Sequence, residues 1–360
     1  MRRRSAFLLL LLRLTLGLAL NDVEDEERLI GWKGETYGQN EDRWGLASDD
    51  ASPNHWVETV SWSPRVFIYH GFLTDAEARH IKRTAAPMMK RSSVVGSNGS
   101  SVLDTIRTSY GTFVRRRHDP VIERVLRRVA SWTKAPPENQ EDLQAPPENQ
   151  EDLQVLRYGI GQKYGAHMDS LIDDSPRMAT VLLYLHDTEE GGETAFPDSG
   201  QWLDPALPDR LGPFSKCAQG KVAFRPKKGD ALMFWSIKPD GTHDPLSLHT
   251  GATGCPVVRG VKWTATSWVH SMPYNYDDFF KTKPDDDKEG EPGACMDLND
   301  QCVTWAESGE CDRNPVYMNA HCVRACKRCE PCASTTDWEC INRNREKLGF
   351  MVYDQDELDA

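Results

Sequence analysis

Between residues 121 and 132 the apolar side chains fall at Val121, Ile122, Val125, Leu126, Val129 and Trp132. That spacing returns to one face of a 3.6-residue helix, so the segment is predicted helical. A second helix is predicted to start at Leu73-Thr74-Asp75-Ala76-Glu77, with Thr74 as N-cap and Glu77 placed to complete a capping box. It runs toward Ala86 and stops before Pro87, whose ring disfavours helical backbone in the residue ahead of it. Upstream, residues 57–69 mix Trp, Val, Phe and Ile around Pro64, the pattern of a strand and its approach.

Past Val155 the period changes. Short apolar runs at 178–185, 221–225, 231–236 and 263–269 are separated by Gly and Pro as far as Ser271. Several short strands punctuated by turns argue for an antiparallel sandwich or barrel. The predicted fold class is therefore mainly β with flanking helices, an α+β arrangement.

The chain has 360 residues, enough for one large domain and one small one. Arg2, Arg3 and Arg4 precede an apolar stretch at 6–20 broken by Arg13 and Thr15, and Gly17-Leu18-Ala19 supplies small residues for cleavage. Residues 1–19 read as a secretory signal peptide. A membrane anchor is the weaker alternative, because a spanning helix needs about 20 apolar residues and Arg13 sits mid-stretch. Residues 20–55 are a polar, acidic lead-in. At 135–144 the chain reads APPENQEDLQ, and 145–154 repeats it letter for letter. Two copies are too few for a solenoid, and the Pro pairs and acids predict a solvent loop. Residues 284–294 are charged and turn-rich, as a linker would be, and 330–360 form a tail with an acidic end.

Charge and cysteine usage narrow the partners and the compartment. A net charge of -12 is repelled by polyphosphate, which sets nucleic acid aside. Ten cysteines, six of them at 295–329, form an even, clustered set that in a secreted chain reads as a disulfide framework. The six allow about 15 pairings, so spacing alone leaves the connectivity open. A zinc site is the competing use of such a cluster, and secretion disfavours it. The sequon Asn98-Gly99-Ser100 makes Asn98 a glycosylation candidate.

Candidate chemistry centres on His167-Met168-Asp169. On a strand, residues two apart point to the same side, so His167 and Asp169 would offer two ligands from one face. A third from a neighbouring strand would complete a facial two-histidine, one-carboxylate site, which leaves positions open on iron(II) for cosubstrate and oxygen. His249 and His243 both stand in the right region to supply it.

A longer set of motifs occurs in order. It comprises Gln154-Val155-Leu156-Arg157-Tyr158, Gly161-Gln162-Lys163-Tyr164, the His167/Asp169 pair, residues 177–185, Glu190-Gly191-Gly192-Glu193-Thr194, Pro226-Lys227-Lys228-Gly229-Asp230, Asp244 through His249, Gly254-Cys255-Pro256-Val257 and Lys262-Trp263. With 56–62 and 107–113 upstream, this resembles the catalytic domain of plant and algal prolyl 4-hydroxylases, relatives of the subunit that hydroxylates procollagen. The resemblance spans about residues 56–271 of a domain set at 56–283. It implies a double-stranded β-helix, a jelly-roll of the cupin kind. It also implies iron(II) held by His167, Asp169 and His249. The distal carboxylate of 2-oxoglutarate would rest on Lys262 with help from Thr194 and Tyr158, and peptide would lie along Tyr164, Arg177 and Trp268.

The implied reaction converts peptidyl proline to 4-hydroxyproline, consuming O2 and 2-oxoglutarate and releasing succinate and carbon dioxide, with L-ascorbate sustaining the iron. No side chain acts as nucleophile. Substrates would be proline-rich or collagen-like secretory proteins, met in the endoplasmic reticulum lumen. Two loops depart from the family: the one between Asp169 and Arg177 is shorter, and the one between His249 and Cys255 is longer. The family's histidine-to-lysine spacing would land on Arg259, yet Lys262 keeps the local context Gly260-Val261-Lys262-Trp263. Strand alternation puts Arg259 on the face opposite Lys262, which favours Lys262.

Residues 295–329 resemble the ShK-toxin-type domain, whose pairing implies Cys295–Cys329, Cys302–Cys322 and Cys311–Cys326. The channel-blocking Lys-Tyr pair of the toxin is absent, since Val316 precedes Tyr317, so a docking or structural role is expected. Resemblance to the plant-type catalytic domain likewise implies a Cys217–Cys255 bridge.

Overall fold

The computed structural model describes residues 55–92, 94–95, 101–102, 108–114, 119–133, 152–170, 176–249, 255–271, 291–334 and 336–360. The apolar N-terminal run, Asn98, the repeated decapeptides up to Glu151 and the segment 250–254 lie outside these residues.

Elements follow in chain order. They are β1 (Trp56–Trp62), β2 (Arg65–His70), α1 (Asp75–Ala85), β3 (Lys90–Arg91), β4 (Val94–Val95), β5 (Ser101–Val102), β6 (Tyr110–Val114), α2 (Pro120–Trp132), β7 (Leu153–Tyr158), β8 (Arg177–Tyr184), β9 (Glu190–Gly191) and β10 (Thr194–Phe196). After these come α3 (Leu207–Leu211), β11 (Val222–Phe224), β12 (Ala231–Trp235), β13 (Val257–Arg259), β14 (Lys262–His270), α4 (Cys302–Glu307), α5 (Glu310–Arg313), α6 (Pro315–His321), α7 (Trp338–Lys347) and α8 (Gln355–Asp359).

Both long helices start where local chemistry directs. The Thr74 side chain accepts from the Glu77 amide while the Glu77 carboxylate accepts from the Thr74 amide, which satisfies two amides at the head of α1. Asp119 caps α2 by accepting from the amides of Val121 and Ile122. Residues 57–69 form two strands rather than one, because the chain turns at Ser63-Pro64 and β1 folds back on β2.

Eight antiparallel strands form the main sheet in the order β1-β2-β12-β8-β14-β7-β6-β3. Its side chains alternate cleanly. Odd-numbered positions such as Phe67, Val155, Val181, Leu183, Met233, Trp263 and Ala265 pack with Ile81 of α1 and Ile122, Val125 and Val129 of α2. Even-numbered positions such as Ile68, Leu182, Tyr184, Leu232 and Phe234 face Phe196 of β10 and Val222 and Phe224 of β11. The short pairs β10-β11 and β13-β9 thus cover the inner face, giving two facing sheets with helices behind the larger one. Each large apolar side chain buried this way contributes roughly 1.5–3 kcal/mol, and the candidate site lies on the inner face.

The stretch read as a tail is folded and docked. Met351 and Leu358 join the core behind the main sheet, and the Met351 amide donates to the Met89 carbonyl. Phe350 bridges to Lys90 at the outer edge of the sheet. The last residues of the expected linker are also integrated, with Pro292–Ala294 forming a 3-10 turn whose Gly293 carbonyl accepts from Asn344 of α7. Cysteines pair as 217–255, 295–329, 302–322, 311–326 and 332–340, and none is free.

Candidate metal centre and cosubstrate pocket

His167 and Asp169 do not sit on a regular strand. The segment bends at Gly161, whose φ of 74° suits glycine, and His167 pairs in an isolated bridge with His249 through two backbone hydrogen bonds of 3.2 Å. That single bridge brings the third ligand candidate directly opposite the first. Asp169 then reaches both rings: Oδ1 lies 3.3 Å from His167 Nε2, and Oδ2 lies 3.6 Å from His249 Nε2. One ligand atom from each residue falls within 4.8 Å of the others. His243 stands apart, exposed and bonded to Ser170.

Hydrogen bonding fixes the roles of the nitrogens. Each Nδ1 faces a backbone carbonyl, Gly165 O at 2.6 Å and Ser247 O at 3.0 Å, and a carbonyl only accepts. Both Nδ1 atoms therefore carry the proton, and each Nε2 turns a lone pair toward Asp169. Burial lowers the His249 imidazole to about 4 against the pull of Asp169, so it is neutral at neutral pH. Burial would raise the Asp169 carboxyl, but a proton entering this cluster rests on a histidine rather than on Asp169, and the Thr180 hydroxyl donates to it at 2.7 Å, so it stays well below the usual carboxylate range. Two imidazole lone pairs and a carboxylate converging on one point repel one another until a cation lies between them. The donor set of two nitrogens and one oxygen fits iron(II).

Lys262, at the start of β14, is 1% exposed and points to the same inner face. Among the described residues it makes no ion pair; its ammonium reaches Thr194 Oγ1 at 3.5 Å and lies over the rings of Tyr158 (5.7 Å) and Tyr184 (5.9 Å). Burial lowers it to about 7, with Glu193 pulling the other way. Arg259 points outward, 65% exposed, and pairs with Glu189. The geometry brings Lys262, Thr194 and Tyr158 together and leaves Arg259 out, and the orphaned buried ammonium suits an anionic carboxylate.

Tyr164 stacks on the His167 ring at 3.9 Å, and Arg177 lies 3.9 Å from the Trp268 ring. Trp268 is the cross-strand partner of Thr180, which holds Asp169, so this pair adjoins the centre. Two contributors had not been singled out from sequence: Thr180, and Tyr184, whose hydroxyl donates to Thr194 at 2.9 Å. Their signal was present in the alternation of residues 177–185, which places both with Leu182 on the inner face.

Comparisons with known proteins place the chain among its relatives. Residues 153–270 match the 2OG-Fe(II) oxygenase superfamily, and residues 294–329 match the ShK domain-like family. Prolyl 4-hydroxylase 2 of Arabidopsis thaliana is 41% identical over 286 residues, covering 76% of this chain and 88% of that protein. Probable prolyl 4-hydroxylase 4 of the same plant is 40% identical over 287 residues, with the same coverage of 76% and 88%. A solved viral collagen prolyl hydroxylase of Paramecium Bursaria Chlorella virus-1, in a 2OG complex, is 25% identical, covers 57% of this chain and 96% of its own, and superposes with a TM-score of 0.39. On its close relatives, its superfamily match and its metal-ligand geometry, the chain belongs to the prolyl 4-hydroxylases, 2-oxoglutarate- and iron(II)-dependent dioxygenases with, in this case, an ShK-like module attached.

Proposed function

We propose that this protein hydroxylates peptidyl proline at C4 in proline-rich or collagen-like secretory proteins, consuming O2 and 2-oxoglutarate and releasing succinate and carbon dioxide. One observation carries this reading: the buried Lys262, without an ion pair among the described residues, shares the inner face with the converging acceptors of His167, Asp169 and His249. Iron(II) held by those three residues would supply coordination positions for 2-oxoglutarate and O2 and the redox capacity for oxidative decarboxylation.

The chain's own groups do the rest. Lys262 Nζ, Thr194 Oγ1 and the Tyr158 hydroxyl would receive the distal carboxylate of 2-oxoglutarate, with Tyr184 orienting Thr194. Phe234 and Phe196 lie 4.4 and 6.1 Å from the His249 ring and keep water from that side. Tyr164, Arg177 and Trp268 offer the peptide surface. The Trp268 indole N–H is buried with no hydrogen-bond partner among the described residues, which suits it to a substrate carbonyl.

Five disulfides support a place in the oxidising secretory pathway; retention in the endoplasmic reticulum lumen and ascorbate as the reductant that sustains turnover belong to the same proposal. The ShK-like module would serve docking or structure there. The test is parallel measurement of succinate and 4-hydroxyproline with proline-rich and collagen-like peptides. Equal yields are expected. Succinate accompanied by hydroxylysine, or by no hydroxylated product, would overturn the assignment.

A further inference from the structure

Behind the cosubstrate pocket the last turn of the chain grips the two strands that build it. Glu357 of α8 lies behind β7 and β14, its carboxylate bonded to both strands. Its Oε1 accepts from Arg157 Nε at 2.7 Å and its Oε2 from Arg157 Nη2 at 2.8 Å, a two-pronged ion pair. The Trp263 indole N–H donates to the same carboxylate. Arg157 and Trp263 are direct cross-strand partners on β7 and β14. The adjoining pair in the same ladder is Tyr158 and Lys262. Alternation turns this second pair to the opposite face, into the pocket.

Glu357 is thus bonded to the residue immediately before Tyr158 in sequence and to the residue immediately after Lys262. It is 9% exposed, so the pair is little screened. Its helix is fixed independently: Lys82 donates to the Glu357 carbonyl at 2.7 Å, Lys228 donates to the Ala360 carbonyl at 2.7 Å, and Leu358 is buried behind the sheet. A carboxylate tied on one side to a docked helix and on the other to two adjacent strands sets how far β7 and β14 shift along each other. That relative position decides whether the Tyr158 hydroxyl and the Lys262 ammonium converge on one carboxylate.

We propose that Glu357 is a positioning residue for 2-oxoglutarate, acting from the rear of the sheet through the Arg157–Trp263 pair on the cosubstrate ligands Tyr158 and Lys262. It touches neither cosubstrate nor metal. Its role rests on the assignment of Lys262 and Tyr158 as cosubstrate ligands, made above.

The experiment measures the dissociation constant for 2-oxoglutarate by calorimetry on the full chain loaded with manganese(II), together with steady-state constants. Glu357→Gln, which keeps the shape and loses the charge, should weaken 2-oxoglutarate binding about tenfold and raise its KM equally. The KM for peptide and kcat at saturating 2-oxoglutarate should stay within twofold. Glu357→Asp, which keeps the charge, should restore part of the affinity. Val129→Ala, a core truncation in α2, controls for general destabilisation; it should lower the melting temperature and leave the 2-oxoglutarate constant unchanged. Unchanged 2-oxoglutarate binding in Glu357→Gln, or equal changes in all constants, would overturn the proposal. So would failure of both Glu357 variants to fold, which would assign the residue to stability alone. Lys262→Ala run alongside separates the two readings. If it leaves 2-oxoglutarate binding intact, the pocket itself is wrongly assigned; if it weakens binding while Glu357→Gln does not, only the positioning role fails.

Discussion

Tyr158 and Lys262 stand opposite each other on β7 and β14, with the tyrosine ring 5.7 Å from the lysine ammonium. Aromatic faces accept a cation but do not neutralise it. The protein therefore keeps a buried amine, charged below about pH 7, with no acidic ion-pair partner among the described residues, next to a cluster of metal-type ligands. Such an arrangement costs stability in the free protein, and an incoming carboxylate offsets that cost.

Lys262→Ala is accordingly expected to raise the KM for 2-oxoglutarate about ten- to a hundredfold. A charge-assisted hydrogen bond is worth about 1.5–3 kcal/mol and each 1.4 kcal/mol is tenfold. Arg259→Ala should change it less than twofold, since Arg259 is exposed and engaged with Glu189. A steady-state titration of 2-oxoglutarate distinguishes them, and the reverse order would move the anchor to Arg259.

The same burial predicts a pH dependence. Lys262 in the free protein is lowered from 10.5 to about 7, so above that pH it is mostly neutral, and binding a carboxylate requires it to take up a proton. The dissociation constant for 2-oxoglutarate should be flat below about pH 7 and rise toward tenfold per unit above it. Calorimetry in buffers of differing ionisation enthalpy should show proton uptake near pH 8, absent in Lys262→Met. The sign for folding follows too. Between about 7 and 10.5 the unfolded chain holds the proton that the folded chain has lost, so this group makes stability rise with pH across that window. Chemical denaturation of wild type and Lys262→Met at pH 7 and 9 measures the difference.

His167→Ala, Asp169→Ala and His249→Ala should each reduce turnover to background and metal retention with it, whereas His243→Ala should leave both near wild type. The motive is geometric: three ligand atoms lie within 4.8 Å, and His243 is not among them. Thr180→Val removes the hydroxyl that donates to Asp169 and should cost about 10- to 100-fold in metal affinity while the protein folds. Metal titration followed by dialysis and elemental analysis checks all five variants, and retention of iron in His249→Ala would discard the ligand set.

Much of this was legible because the signals are local. Thr74 and Glu77 cap α1 within four residues of sequence, and the apolar spacing of α2 marks its buried face. Lys262 was separable from Arg259 by its local context, but the expected strand alternation is not the reason: Arg259 ends β13, a turn at Gly260 intervenes before β14, and Arg259 pairs outside with Glu189. His167 and Asp169 were legible as a pair but not in their conformation, because the pair is placed by one backbone bridge to His249, 82 residues away by the difference 249 − 167, rather than by a strand of its own. The C-terminal stretch was illegible for a related reason. Its acids look like a solvated tail until Arg157, 200 residues earlier, is brought against Glu357. A buried polar group has no signature apart from its partner.

Arg345 gives the strongest stability prediction of this kind. Its side chain is fully buried, yet it comes from a stretch whose composition reads as solvent-facing. Its guanidinium donates to the carbonyls of Ala86 at 2.8 Å and Pro87 at 3.1 Å, in the 3-10 turn that follows α1, and to Met351 at 2.6 Å. It also pairs with Glu291 and lies 3.9 Å from the Tyr353 ring. Arg345→Met fills the space but removes the donor to the Pro87 and Met351 carbonyls and the cation paired with Glu291. With the arginine fully buried and Glu291 partly exposed, the loss should cost about 3 kcal/mol, the low end for breaking a buried pair. At about 2–4 °C per kcal/mol for a domain of this size, the melting temperature should fall by roughly 10 °C. Arg83→Ala removes an ion pair to Asp359 in which both side chains are more than half exposed, and should shift it by no more than about 2 °C. Differential scanning calorimetry of the two variants decides the matter. If Arg345→Met melts with wild type, the C-terminal stretch is not anchored to α1 through this residue.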